Sequence, residues 1–266
     1  MDYQNILYEE LGPIARIWHN RPQARNAESQ QLLEELDHAV TRASNDKAIR
    51  VVILAGKGDH FSAGHDLKQA EAERANFTVE ERWAYEETHY YEYCLRIWDL
   101  PKPTIAQVQG ACMAGGFMVA NMCDLMVASD DAFFSDPVAH AVATASVEVL
   151  IHPWVMGLRR AKEMLYTGER LTAAEAHRIG MVNRVVPRAE LETATLELAT
   201  RIAAAPPFGL QLVKRSLNRT ADLQGMRDAL AAHFDTHQLS HMSEEFKAVK
   251  QTGLGKSIQR SKDLSK

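Results

Sequence analysis

Three cysteines stand in 266 residues, Cys94, Cys112 and Cys123, and none forms a C-x-x-C pair. The count is odd, so neither a disulfide framework nor a thiolate metal site is expected. Positive charge is also short: 30 Lys and Arg against 35 Asp and Glu leave a formal net charge of -5. That balance argues against a nucleic-acid partner, which asks for a basic surface, but leaves room for a local patch that holds a small anion. No apolar run approaches the roughly 20 residues that span a bilayer, so no membrane association is expected. The first ten residues, MDYQNILYEE, are acidic and lack the basic start and apolar centre of a signal peptide, which points to the cytoplasm. No G-x-G-x-x-G occurs, and Gly116-Phe117 stands where a Walker loop needs Lys-Ser/Thr. Nucleotide hydrolysis is therefore not indicated.

What is present is ordinary globular material, 46% hydrophobic, enough for one large core or a large domain plus an appendage. Two β-rich runs, 6–10 and 14–19, flank Gly12-Pro13 and predict a hairpin. Leu32, Leu33, Leu36, Ala39, Val40 and Ala43 share one face of a helix predicted over about 26–44, which leads into a buried strand at 50–55. Residues 68–81 are charged and weakly patterned and read as a mobile loop. A long aromatic-rich helix follows over 81–100, stopped by Pro101 and Pro103. Strands at 104–109 and 124–128 then bracket a turn at 110–114 and a helix at 115–122. Beyond Ser146 nearly everything reads helical except 181–186, and Pro206-Pro207 marks a break. The result is an α/β class with a helical C-terminal extension and a boundary near residue 200.

Two glycine turns stand out. Gly110-Ala-Cys-Met-Ala-Gly115-Gly116 sits between a strand and a helix start, where unpaired N–H groups favour negative charge; close backbone packing is the plainer explanation of such glycines. Phe61-Ser-Ala-Gly64-His65-Asp66-Leu67-Lys68 follows another strand. Two strand-to-helix turns in one sheet can bring two backbone N–H groups together, as an oxyanion requires.

At this point the chain resembles the crotonase, or enoyl-CoA hydratase/isomerase, superfamily. FSAGHDLK (61–68) is similar to its first oxyanion turn, VQGACMAGGFMVANMCDLMVAS (108–129) to its second, and FFSDP (133–137) to the strand and turn that follow. YTGERLTAAEAHRIGMVNRVVP (166–187) resembles its helix-strand signature and SEEFKAVKQTGLGKSIQRSKD (243–263) its C-terminal tail. The resemblance implies a crotonase-like spiral of β-β-α turns over residues 1–200, a helical oligomerisation region over 201–266, assembly as a homotrimer or a dimer of trimers, and an acyl-CoA thioester as ligand. Coenzyme A is then part of the substrate, and no separate cofactor or metal is expected. Carried over by position, the oxyanion-hole N–H groups belong to His65 and Gly115, and the side chain at 65 is free to vary. Ala63, Asp66, Leu67 and Lys68 line the nucleotide portion. Gln23 stands where many relatives carry Lys, which leaves Arg25 as the substitute partner for a CoA phosphate.

The chain departs from the hydratase pattern at both glutamates, with Met118 at the first position and Val138 at the second. Neither side chain transfers a proton, and a general acid-base group contributes about 10²- to 10⁴-fold. Asp136 and His140 are the first-choice replacements by sequence proximity; Glu148 and His152 follow, with Glu87 and His89 outside them. For each, a surface or structural role is the plainer alternative. His233, His237 and His241 recur at four-residue steps, but the first and last lie about 12 Å apart along a helix and cannot share one ion. Helix packing or a subunit interface accounts for them better than a metal. Three functional readings follow: a crotonase-type lyase or isomerase with altered acid-base groups, a non-catalytic acyl-CoA binding or regulatory protein, and a structural oligomer without CoA affinity.

Overall fold

Gly12-Pro13 does close a hairpin: β1 (Ile6–Leu11) and β2 (Ile14–His19) pair antiparallel, with Leu11 opposite Ile14. The computed structural model describes residues 2–256 and 259. The tail motif at 243–263 therefore lies partly outside the described residues.

The strands that follow are β3 (Val51–Gly56), β4 (Thr104–Val108), β5 (Ala111–Met113), β6 (Leu125–Ser129), β7 (Phe133–Ser135), β8 (Leu171–Thr172) and β9 (Arg184–Val186). They form a six-stranded sheet in the order β1-β2-β3-β4-β6-β9, parallel from β2 onward, and a smaller one in the order β5-β7-β8. The helices are α1 (Gln30–Asn45), α2 (Leu67–Arg74), α3 (Val79–Glu86), α4 (Glu92–Trp98), α5 (Gly115–Asn121), α6 (Val138–Ala141), α7 (His152–Met156), α8 (Leu158–Thr167), α9 (Ala173–Arg178), α10 (Leu191–Ala203), α11 (Pro207–Leu223), α12 (Met226–Ser240) and α13 (Glu244–Thr252). Two successive turns of the chain each place one strand in the large sheet, one in the small sheet and then a helix: β4-β5-α5 is followed by β6-β7-α6. This is the β-β-α spiral.

The six apolar residues predicted for one face of α1 are all buried, each worth about 1.5–3 kcal/mol for the larger side chains. The helix itself begins later than periodicity predicts. Asn26 is buried at a φ of 53°; its side chain accepts from the Arg21 N–H at 2.9 Å and donates to the carbonyls of Lys57 at 2.9 Å and His60 at 2.7 Å. Ser29 then caps α1 by accepting from the Leu32 N–H, as a residue outside the helix does. The segment at 26–29 is tied to a distant loop and is lost to the helix.

Residues 68–81 are not a loop throughout. α2 occupies the first half of them, capped by Asp66, which accepts from the Gln69 N–H at 3.2 Å, and Thr78 with Glu81 forms a capping box that starts α3. Only Arg74 of α2 is buried, so an apolar period that would announce the helix is missing. The long aromatic helix forms as α3 and α4 joined by a π turn over Glu87–Tyr91. The turn expected at 110–114 contains the strand β5, and the strand expected over 181–186 shortens to β9.

The C-terminal helices are not a detached unit. Met226 and Leu230 of α12 enter the main core. Lys214 of α11 is buried, ion-paired to Asp124 at 2.8 Å, and donates to the Lys102 carbonyl at 3.1 Å.

Candidate functional site

A cavity of about 1010 Å³ opens beside the ends of β3 and β5. Two turns shape its wall. After β3 the chain runs through Ser62 and Gly64 into α2. The Gly64 N–H donates to the Ser62 hydroxyl at 3.1 Å, that hydroxyl donates to the Asn26 carbonyl at 2.9 Å, and Glu28 and Asp66 are laced across the turn by Glu28 N–H to Gly64 O and Asp66 N–H to Glu28 O. After β5, Ala114 holds φ 47° and ψ -117°, a conformation that an alanine takes at a cost of about 1–3 kcal/mol, and starts α5 at Gly115. The Ala114 N–H donates to Ser135 O at 2.9 Å, which anchors the strained residue to β7.

The two turns touch. A Cβ on Gly64, whose φ is +86°, would stand 2.8 Å from the Met113 carbonyl and 3.0 Å from the Gly115 nitrogen. A Cβ on Gly115 would collide with the Glu28 carboxylate and the His65 ring, at 2.4 and 2.5 Å. Among the described residues neither the His65 N–H nor the Gly115 N–H donates a hydrogen bond within the protein. Gly115 is the first residue of α5, where such donors lack an intrahelical partner.

The side chain of His65, to which the sequence assigned no role, is engaged at both nitrogens and on its ring face. Its Nδ1 lies 3.1 Å from Glu28 Oε2, its Nε2 lies 3.0 Å from Glu148 Oε2, and its ring stacks on Tyr90 at 3.8 Å. The chain of charges continues. Glu148 Oε1 is 3.5 Å from His237 Nε2, which is 3.4 Å from Glu86 Oε2; Glu86 also accepts from Gln238 at 2.7 Å and pairs with Arg82 at 3.1 Å. Four elements remote in sequence supply the partners along this line: the turn before α1, the loop after α6, α3 and α12. The π turn immediately after Glu86 adds a residue to the helix and sets Tyr90 under the imidazole, a use of π turns that recurs at functional sites.

Burial opposes charge on His65, but attraction to Glu148 and hydrogen bonds to Glu148 and Glu28 outweigh it and push the imidazole up to about 10. His237 behaves alike: burial opposes its charge, and Glu148 and Glu86 push it up to about 10. Burial would raise Glu148, yet His65 and His237 hold its carboxyl well below the usual carboxylate range. Glu86 is lowered against burial by His237 and His241, whereas burial drives His241 down to about 4 despite the nearby Glu86 carboxylate. At neutral pH both His65 and His237 are therefore protonated on either side of the ionised Glu148.

Ala63, His65, Asp66, Leu67, Lys68 and Arg25 all border the cavity, and so does Ala114 immediately before Gly115. Asp66 is already engaged with Arg21 at 3.0 Å. Asp136 and His140 do not border it. Asp136 is fully buried, accepting from Ser146 Oγ at 2.5 Å and from the Val138 N–H at 3.1 Å, with His152 Nε2 at 3.2 Å. His140 faces outward with Nε2 at 2.7 Å from the Tyr166 carbonyl. His152 stacks on Phe117, and His89 stacks on Tyr85 with Nδ1 facing that residue's own carbonyl; neither His152, His89 nor Glu87 lines the cavity. Met118 is core, while Val138 lines the wall. Glu148 does border the cavity, and Glu28 and Glu86, which sequence reasoning passed over, complete its line. The only signal for them was a glutamate at an otherwise buried position. Of the three spaced histidines, His233 faces the Val147 carbonyl, and the ligand atoms of His237, His241 and Glu86 lie within 4.8 Å of one another.

The chain matches the family model described as Enoyl-CoA hydratase/isomerase over residues 9–260. EchA13 of Mycobacterium tuberculosis, provisionally named an enoyl-CoA hydratase, is 42% identical over 259 residues, covering 90% of this chain and 81% of that protein. An enoyl-CoA hydratase/isomerase structure from Xanthobacter autotrophicus Py2 matches with a TM-score of 0.91 at 36% identity over 98% of both chains. A Mycobacterium smegmatis structure, provisionally named an enoyl-CoA hydratase, matches with a TM-score of 0.84 at 49% identity, covering 89% of this chain and 94% of that one.

Proposed function

Because the chain belongs to the enoyl-CoA hydratase/isomerase family, we propose that it is a crotonase-type enzyme that moves a proton on the acyl carbons of a CoA thioester with an acid-base set of its own. The thioester oxygen accepts from the N–H groups of His65 and Gly115. Glu148 takes a proton from the acyl α-carbon, the electron pair of that C–H bond moves onto the thioester oxygen, and the two donors stabilise the enolate; a single oxyanion-hole donor is worth about 2.7–4 kcal/mol. Delivered to the γ-carbon of the dienolate, that proton moves a double bond; replaced by a solvent proton before return to the α-carbon, it exchanges the α-hydrogen. The imidazolium of His65 supplies a positive charge at the oxyanion and a second proton donor should water be the nucleophile.

The observation that carries this reading is the imidazole of His65 held between Glu28 and Glu148 against Gly115. It provides ionisable groups on the cavity wall of a chain that has Met118 and Val138 at the hydratase positions. The opposing reading, an acyl-CoA binding protein without turnover, predicts occupancy alone. The deciding measurement offers the purified protein 2-enoyl- and 3-enoyl-CoAs of graded length, and a saturated acyl-CoA in D₂O. Loss of conjugated absorbance reports hydration, its gain from the 3-enoyl series reports isomerisation, and deuterium at the α-carbon reports proton abstraction. Binding with none of the three sinks the enzyme and leaves the binder.

Assembly is the second part of the proposal. Phe208, Leu212, Leu217 and Leu223 on α11 are exposed in the single chain, Leu217 at 66% and Leu223 at 89%. An apolar run of that kind on one helix marks a protein contact, which fits a homotrimer or a dimer of trimers.

A further inference from the structure

Arg74 is buried to 5% exposure at the end of α2, and among the described residues its two terminal nitrogens make no hydrogen bond. The other buried or half-buried arginines near the cavity are satisfied: Arg21 by Asp66 and the Ala27 carbonyl, Arg82 by Glu86. The compensations given to Arg74 are the Tyr85 ring, 4.5 Å from the guanidinium carbon, and a Glu73 carboxylate 3.7 Å away. Glu73 is its chain neighbour on the helix and half exposed, so it does not face the guanidinium squarely. A ring face accepts charge but offers no in-plane oxygen to a fork of N–H donors. A desolvated cation without an acceptor is strongly unfavourable, and Arg74 lines the cavity.

The position says which ligand group would complete it. Tyr85 meets Tyr90 edge-on at 5.6 Å, and Tyr90 stacks on His65 at 3.8 Å. Arg74 therefore stands at the far side of the aromatic wall that begins at the reacting centre, and α2 carries it about 10 Å beyond Leu67. Glu86, which also borders the cavity, is taken up by Arg82, Gln238 and His237.

Resting on the acyl-CoA reading above, we infer that Arg74 is a specificity residue for the distal end of the acyl group, and that the substrate is the mono-CoA thioester of a dicarboxylic acid. The free carboxylate accepts two parallel N–H bonds from the guanidinium, the pairing for which arginine is shaped. Tyr90, Phe246 and Leu254 add apolar surface to the lining of the same cavity.

Calorimetric titration of the full chain with saturated ligands tests this without requiring turnover: mono-CoA thioesters of four- to seven-carbon dicarboxylic acids, fatty acyl-CoAs of equal length, and CoA alone. The wild type is expected to prefer the carboxylate-terminated ligand by about 30-fold or more at one chain length, the cost of leaving a buried charge unpaired. Arg74→Met, which keeps a linear side chain over Tyr85, removes that preference and leaves binding of CoA and of fatty acyl-CoA within about threefold. No preference at any length in the wild type overturns the inference, as does a preference that survives in Arg74→Met. Equal weakening of CoA itself also overturns it, since the guanidinium would then serve a CoA phosphate. Should Arg74→Met not fold, Arg74→Lys decides: a preference cut severalfold supports the fork and an unchanged one rejects it. Carboxylate preference without turnover of any enoyl thioester defeats the enzyme reading and leaves this one standing.

Discussion

Glu28 and Glu148 approach the two nitrogens of His65 from separate elements, 3.1 and 3.0 Å away, and this fixes how the site responds to pH. The imidazole is raised to about 10, so the stability it lends is whole below its ordinary value near 6.5 and is lost as pH rises through about 10. Glu148 is lowered, so its share is present above the ordinary carboxylate value and is lost as pH falls through the lowered one. Thermal melts should therefore be flat only below about 6.5 and decline steadily from there to about 10. In Glu148→Gln the alkaline decline should be smaller and be complete at lower pH, because His65 has lost its stronger partner; an unchanged decline would detach the imidazole from Glu148. The same variant should lose about 10²- to 10⁴-fold in kcat/KM with thioester affinity retained, while His140→Ala, on the outer surface, should stay within about twofold. Position 65 was legible in sequence as part of a glycine turn. Its side-chain partners were not, because Glu28 and Glu148 lie 37 and 83 positions away in the chain and reach it only through a strand-like bridge at Glu28 and the loop that carries Glu148.

Among elements, the two glycine turns are positioned by each other. Gly64→Ala places a methyl at φ +86° and within 3.0 Å of the Gly115 nitrogen, so either the turn after β3 or the start of α5 must move. The proposed donor pair then separates, and kcat should fall about 10²- to 10³-fold with a loss of stability above 1 kcal/mol, measured by steady-state rates and denaturant melts. Rates within threefold of wild type would remove the N–H pair from the proposed mechanism. The turns and their helix starts could be read in the chain because glycine spacing is a local signal. α2 could not, since its one buried residue is an arginine and apolar period is what announces a helix. The late start of α1 escaped for a different reason: Asn26 prefers three distant hydrogen bonds to a first helical turn.

At the scale of the molecule, the last helices both pack on and project from the core. Lys214 and Asp124 fasten α11 to the strand side at 2.8 Å, and Leu217 and Leu223 on the same helix are left in solvent. Light scattering on purified protein should give the mass of three chains or a multiple of three, and Leu217→Asp should shift it toward the single chain, since a charge in an apolar contact is strongly unfavourable. A wild type that stays monomeric at high concentration would remove assembly from the reading. No described helix is long and apolar enough to cross a membrane.

Local chemistry in the sequence determined the hairpin, the buried parallel strands, the face of α1, both glycine turns and the family, because each depends on residues within a few positions of one another. The tertiary structure alone decided which ionisable groups share the cavity. Proximity in the chain favoured Asp136 and His140, but the short turn after β7 buries the first beside Ser146 and His152 and points the second at the Tyr166 carbonyl. Glu28 and Glu148 meet instead at His65, His237 and Glu86 continue the line beyond Glu148, and among the described residues the terminal nitrogens of Arg74 have no hydrogen-bond acceptor. Electrostatic pairing acts over a few ångströms of space whatever the distance along the chain, and only the completed fold sets that distance.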